Sequence, residues 1–369
     1  MNSTEHTPGT LPDLPPPSNT IGFVHWLRQN LFSSTANTIV TVLCLWVLYK
    51  LLPPLVDWFI LDASYTGSSR KECIAQGDGA CWAFISERFS LFVYGFYPEP
   101  LRWRVDLSAV LLALALTVVL WDRFPMRKQA MLYVLAFPLI AGWLLTGGLG
   151  LEGVDTSEFG GIMLTLVIGV TGIAFSLPLG ILLALGRQSN LPVIRIFCVG
   201  FIEFIRGVPL IALLFIASAM LSYFMPPGTS FDLLMRVLIM VVLFSAAYLA
   251  EVIRGGLQSL PQGQLEAAEA LGLTYWQSMR FIILPQALKV SIPGIVNTFI
   301  GLYKDTTLVV IIGLFDPLGV GKASLASSEW FGLSVEVYLF VAIFFFISCF
   351  GMARYSLYLE NKLNTGHKR

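Results

Sequence analysis

Long apolar stretches alternate with short polar ones along most of the chain. A helix crosses a bilayer in roughly 17–25 residues, and the sequence holds eight apolar stretches of that order: 31–52, 106–122, 130–150, 161–186, 201–224, 235–254, 290–314 and 334–356. The pattern predicts an all-α integral membrane protein with about eight transmembrane helices. Two polar intervals are too long to be plain turns. Residues 53–105 form a loop between the first two spans, and residues 260–285 interrupt the chain between the sixth and seventh.

The second interval predicts two short helices with a break. Pro261 suits a first helical turn, and Gln264 to Leu271 are strong helix formers. Gly272 suits a left-handed C-terminal cap. Thr274 and Gln277 have capping-box spacing for the second helix, which Pro285 is expected to end. Leu265, Ala268, Gly272, Trp276, Met279 and Ile283 fall on one stripe; Glu269, Leu273, Gln277 and Arg280 fall on another.

Composition agrees with a membrane class. Of 369 residues 56% are hydrophobic and 12% charged, against about 25% charged in soluble domains. The mean hydropathy is +0.75. Net charge is zero and no long basic block occurs, which gives nucleic-acid binding no support. His6, His25 and His367 all lie near the termini. Histidine is the commonest general acid–base and a frequent metal ligand, so a His-based catalytic or metal centre in the membrane is excluded. Residues 1–30 begin with a Pro-, Ser- and Thr-rich stretch (Pro8, Pro12, Pro15, Pro16, Pro17) and read as a disordered tail without the apolar core of a signal peptide.

Orientation follows from Lys and Arg. With the N-terminus cytoplasmic, the inner loops hold Arg123, Arg127, Lys128, Arg187, Arg195, Arg254, Arg280 and Lys289, and the C-terminal end adds Arg354 and, in the tail 357–369, Lys362, Lys368 and Arg369. The 53–105 loop breaks the bias with Arg70, Lys71, Arg88, Arg102 and Arg104, but long loops count less in that rule. Both termini are expected to be cytoplasmic, with residues 260–285 on the same side. Residues 31–155 then form a three-helix extension carrying the outer loop, and 160–356 a five-helix core. Cys73 and Cys81 flank a Gly-rich turn in that loop and can form a disulfide if its side is oxidising. Cys44, Cys198 and Cys349 sit in apolar helices.

Glu266-Ala267-Ala268, Gly272, and Ile282-x-Leu284-Pro285 match the pattern E-A-A-x3-G-x9-I-x-L-P at every defined position. This resembles the loop by which membrane subunits of bacterial ABC importers dock onto their ATPase. Small Ala267, Ala268 and Gly272 allow close approach, and Glu266 and Glu269 offer charge-assisted contacts. The alternative is an ordinary surface hairpin joining two spans. The run from Tyr248 through Glu251, Arg254, Pro261 and Gly263, the run Glu203-Phe-Ile-Arg206-Gly207-Val-Pro209, and Lys304-Asp305-Thr306-Thr307-Leu308 resemble polar amino-acid permeases of the histidine/glutamine type. Thr307 stands where that family carries Ser. The extension, with Gly79-Ala80-Cys81-Trp82, is similar to the larger M-type subunit of general L-amino-acid importers. The resemblance implies the five-helix type I importer core in the bacterial inner membrane. It also implies a cytoplasmic ATPase dimer that uses the ATP, a second and distinct permease subunit, and an external amino-acid-binding protein. This chain is implied to be non-catalytic and to bind no cofactor.

Lys304 and Asp305 fall inside the seventh span, where charge is expensive and usually pairs or lines a pathway. Asp305 is chemically apt for a substrate ammonium; the alternative is that Lys304 and Asp305 are structural, pairing with Glu203, Arg206, Glu251 or Arg254. Thr306 and Asn297 are the further pathway candidates. Glu251 with Arg254, and Glu203 with Arg206, have i, i+3 spacing and read as structural or gating ion pairs, with Tyr248 beside them. Thr165 and Gly169 read as close-packing positions. Gly319-Val-Gly321-Lys322-Ala323 lacks the first Gly and the final Ser/Thr of a phosphate loop. An ATP-independent carrier using the same charges, and a membrane-embedded enzyme, are the rival classes.

Overall fold

The computed structural model describes residues 22–121, 124, 127–220, 223 and 231–363. The start of the tail, Arg123, the side chains of Arg127 and Lys128, and the final residues 364–369 lie outside the description. Among the described residues the regular structure is helical, with three isolated β-bridges. Among the described residues seven helices are long and apolar enough to cross a membrane, or eight if one bent pair is a single span. The described chain divides into two compact units, residues up to Thr66 with Glu72–Cys81, and Gly67–Lys71 with Trp82 onward.

In the first unit, helix α1 (Phe23–Asn30) occupies residues expected to be disordered. Phe23 and Trp26 stack at 6.3 Å on one edge and Arg28 sits in the last turn, so an amphipathic turn replaces the coil. Helix α2 (Thr35–Val56) starts at Ser34, whose hydroxyl accepts the Asn37 N–H. It outruns the expected end at residue 52. Pro53 and Pro54 lack donors, but the Asp57 N–H still reaches both their carbonyls, and a wide turn carries the helix to Leu61. Beyond it, Ala80 N–H donates to Trp58 O and Ser64 N–H to Ala80 O. Cys73, on α3 (Arg70–Gln76), is disulfide-bonded to Cys81. Gly79 approaches the Asp62 backbone too closely for any Cβ, which fixes glycine in that turn.

The second unit begins with short helices α4 (Ala83–Glu87) and α5 (Phe89–Tyr94), then the hairpin α6 (Trp103–Leu120) and α7 (Arg127–Thr146). Helix α8 (Gly161–Arg187) follows. Pro192 opens α9 (Pro192–Gly207), and the chain turns through 102° into α10 (Leu210–Phe215), whose last turns reach Met220. The expected straight span over 201–224 is therefore a broken one. Val208 is extended (φ −111°, ψ 132°) because the residue before a proline is pushed out of the helical region, and Pro209 supplies no donor.

Helix α11 (Leu233–Gln258) leads to α12 (Gly263–Ala270) and α13 (Tyr275–Ser278). Gly272 is left-handed at φ 74°, and Thr274 with Gln277 closes the capping box. Pro285, expected to end the second short helix, instead lies in the first turn of α14 (Leu284–Asp305), where its missing donor costs nothing. A wide turn at Met279–Ile283 joins the two, so helix runs from Tyr275 to Ile312 over 38 residues. Helices α15 (Pro317–Ser324) and α16 (Ser334–Leu363) complete the unit; α16 continues into the expected tail.

Small residues set the helix spacing. A Cβ on Gly180 would lie 2.7 Å from that of Leu249, and one on Gly256 would lie 2.6 Å from the Ala287 carbonyl oxygen. Close approach of this kind drives helix association where lipid offers no hydrophobic force. Gly169 faces the Tyr303 ring in the same way, and Thr165 is fully buried.

Candidate functional site

Four charged residues singled out from the sequence meet at one end of α8, α9 and α11, with only one of the two expected pairs formed. Glu203 and Arg206 do not close on each other. Arg187, at the last turn of α8, donates to Glu203 at 2.9 Å and lies 2.7 Å from Glu251. Glu251 also takes Arg254 at 2.9 Å and Arg206 at 3.4 Å. The i, i+3 pair Glu251–Arg254 is thus as read, while Glu203 and Arg206 become ties between helices. The 102° turn after α9 and the packing of α8 on α11 decide this, since i, i+3 neighbours only can pair. Arg187 carried no sequence signal beyond being one cation at a span end. The Glu251 side chain is 14% exposed, so it is the carboxylate on which three guanidiniums from three helices converge.

A cavity of about 300 Å³ opens next to this knot, between α10, α11 and α14. Asp305 and Asn297 line it, with Ser245, Tyr248 and Thr298 as its other polar groups. Lys304 is exposed and outside the lining. Thr306 is buried, and its hydroxyl donates to the Tyr303 carbonyl at 2.8 Å at the start of a tight helical turn. Of the four pathway candidates the structure brings Asp305 and Asn297 together and leaves Lys304 and Thr306 aside. Neither Lys304 nor Asp305 forms a structural pair with Glu203, Arg206, Glu251 or Arg254, which close on the charge knot. Ser245 was legible as one helical turn before Tyr248 but had no motif to mark it. The Arg206 guanidinium lies over the Tyr248 ring at 5.6 Å, linking knot and cavity wall.

The motif residues 263–285 form a compact hairpin. Of the first stripe, Ala268, Met279 and Ile283 are buried and Trp276 is 66% exposed. Glu266 and Ala267 are exposed on α12, Gly272 makes the turn, and Ile282, Leu284 and Pro285 belong to the wide turn and the start of α14. Gln286 donates to the Gln264 side chain at 3.1 Å, holding α12 against that start.

Between the last two spans, Asp316 is fully buried and caps α15 by accepting the Gly319 N–H at 2.8 Å, while its Oδ2 has no partner. Gly319 to Lys322 are helical, which removes any phosphate-loop geometry. Burial pushes the Asp316 carboxyl up to about 6, against the pull of the Gly319 and Leu318 N–H groups and the Lys322 charge. A raised acid is stabilising when protonated, so its contribution is full below about 3.9 and lost as pH rises through about 6. Asp316→Asn is expected to stabilise the chain at pH 7.5 by on the order of 2 kcal/mol. Thermal unfolding in detergent from pH 4 to 8 checks this; the wild type should lose stability between about 4 and 6 relative to the variant.

Residues 176–364 match the family described as binding-protein-dependent transport system inner membrane component. An inner membrane amino-acid ABC transporter permease protein of Escherichia coli, YhdY, is 49% identical over 96% of this chain and 97% of its own length. A glutamate/glutamine/aspartate/asparagine transport system permease protein of Rhodobacter capsulatus, BztC, is 45% identical over 96% of each. Among solved structures, an amino acid ABC transporter with histidines is 29% identical over 54% of this chain and 91% of that one, with a TM-score of 0.47. The chain belongs to the binding-protein-dependent inner membrane permeases. It is a multi-pass transmembrane permease of an ABC importer, and that membership does not favour an ATP-independent carrier.

Proposed function

We propose that this permease moves amino acids through the Asp305 cavity and is driven from residues 263–285 by a separate cytoplasmic ATPase. The observation that carries the reading is the uninterrupted helix Tyr275–Ile312. One end belongs to the exposed hairpin with Glu266, Ala267, Ala268 and Gly272; the other passes Asn297 and reaches Asp305 in the cavity. A force applied at the hairpin is carried along one rod to the cavity wall. The substrate can shift the two access states only by its differential affinity, so ATP and a docked binding protein supply most of the bias. The names of the two relatives support amino acids as cargo. In this reading a second, distinct permease completes the pathway. The N- and C-termini and the hairpin face the cytoplasm, 31–155 is an extension of the core 160–356, and the Cys73–Cys81 knob faces the oxidising side. ATP is bound and hydrolysed by the partner.

Purification of the tagged chain in mild detergent, followed by mass spectrometry of what stays bound, tests this. An ATPase and a different permease are expected. Glu266→Arg places a cation on the exposed face of α12 and is expected to cut ATPase recovery and uptake roughly 10-fold, as loss of a charge-assisted contact does. A wild-type chain recovered alone, or an unaffected variant, would overturn ATPase docking here.

A further inference from the structure

We infer that Arg206 is the carboxylate-recognition residue of the cavity, opposite in charge to Asp305, so that together they select a zwitterion. The inference rests on the proposed amino-acid reading and goes beyond it. The charge knot holds three guanidiniums, of Arg187, Arg206 and Arg254, against two carboxylates, of Glu203 and Glu251. One positive charge is therefore in excess. Arg187 and Arg254 approach Glu251 at 2.7 Å and 2.9 Å, and each has a further partner, Glu203 and Gln258 respectively. Arg206 has a single ion-pair contact at 3.4 Å, and its side chain is the most exposed of the three at 34%. A guanidinium carries five N–H donors in a fixed fork that matches a carboxylate, and here most of them remain unspent.

Arg206 does not itself line the cavity, but it is the member of the knot linked to the cavity wall. It lies over Tyr248, whose ring lines the cavity, and it stands four residues before Leu210, which lines the cavity after the α9–α10 turn. Asp305 reaches the same space from α14. An ammonium set toward Asp305 and a carboxylate set toward Arg206 would each meet the opposite charge.

The test uses the whole transporter complex in lipid nanodiscs without its binding protein, with L-glutamine and L-glutaminamide as probes. The two differ in the α-carboxylate and share the ammonium and side chain. The wild type is expected to bind the acid about 10-fold or more tighter than the amide, the scale of a charge-assisted bidentate contact. Arg206→Gln is expected to erase most of that ratio, and Arg206→Lys to leave a reduced one, because the charge persists without the fork. Arg187→Gln, which loosens the same knot away from Tyr248, is expected to keep it. An undiminished ratio in Arg206→Gln overturns the inference. If that variant does not assemble, an undiminished ratio in Arg206→Lys does so. Equal loss in Arg187→Gln overturns it in favour of a purely structural knot. A wild type that binds both probes equally refutes the inference alone. A wild type that binds neither probe nor any other amino acid refutes the amino-acid reading with it.

Discussion

Glu251→Ala is expected to lower the stability of the purified chain by on the order of 3 kcal/mol and to abolish uptake. Removing one partner of a partly buried ion pair leaves the other charge uncompensated, and here three guanidiniums share the one carboxylate. Arg187 keeps its contact with Glu203, whereas Arg206 and Arg254 lose their carboxylate contact. Those arginines come from α8, α9 and α11, so the loss separates helices rather than fraying one. Thermal unfolding in detergent measures the stability, and a double variant measures its origin. Adding Arg254→Ala removes one orphaned cation and should restore part of the loss, a coupling that independent sites do not show. A double variant that is simply the sum of the two singles would mean that Glu251 acts through some other contact.

The second large effect is expected at Asp305. Asp305→Asn keeps the size of the side chain and two hydrogen-bonding atoms but removes the charge, and uptake of an amino acid into reconstituted vesicles should fall roughly 10- to 100-fold. The neighbours give the contrast. Lys304→Gln changes an exposed group outside the cavity and should have a much smaller effect on uptake. Thr306→Val removes the hydroxyl bond to Tyr303 and should act on stability. Uptake by Asp305→Asn at the wild-type level, with the protein intact, would make Asp305 a structural carboxylate and move the pathway elsewhere.

Much of this protein is local and therefore written in order along the chain. Apolar stretches of bilayer length, Gly272 at a left-handed turn and the Thr274–Gln277 capping box depend on residues within a few positions of one another. The Glu266 to Pro285 motif is likewise a fixed spacing within one hairpin. Chain order failed where a proline had to be weighed against its surroundings. Pro53, Pro54 and Pro285 stay within or at the start of helices because neighbouring carbonyls and a first-turn position absorb the missing donor. Pro209 breaks one because Val208 before it leaves the helical region.

The sequence by itself determined the class, the spans, the hairpin and the presence of costly charges at Glu203, Arg206, Glu251, Arg254 and Asp305. Only the tertiary structure decided which of them meet. Hydropathy and spacing are properties of one segment, whereas an ion pair between helices depends on how those helices pack and turn. A 102° turn and the glycine-scale contact of α8 with α11 bring Arg187, which no motif marked, onto Glu251, and leave Asp305 to face a cavity.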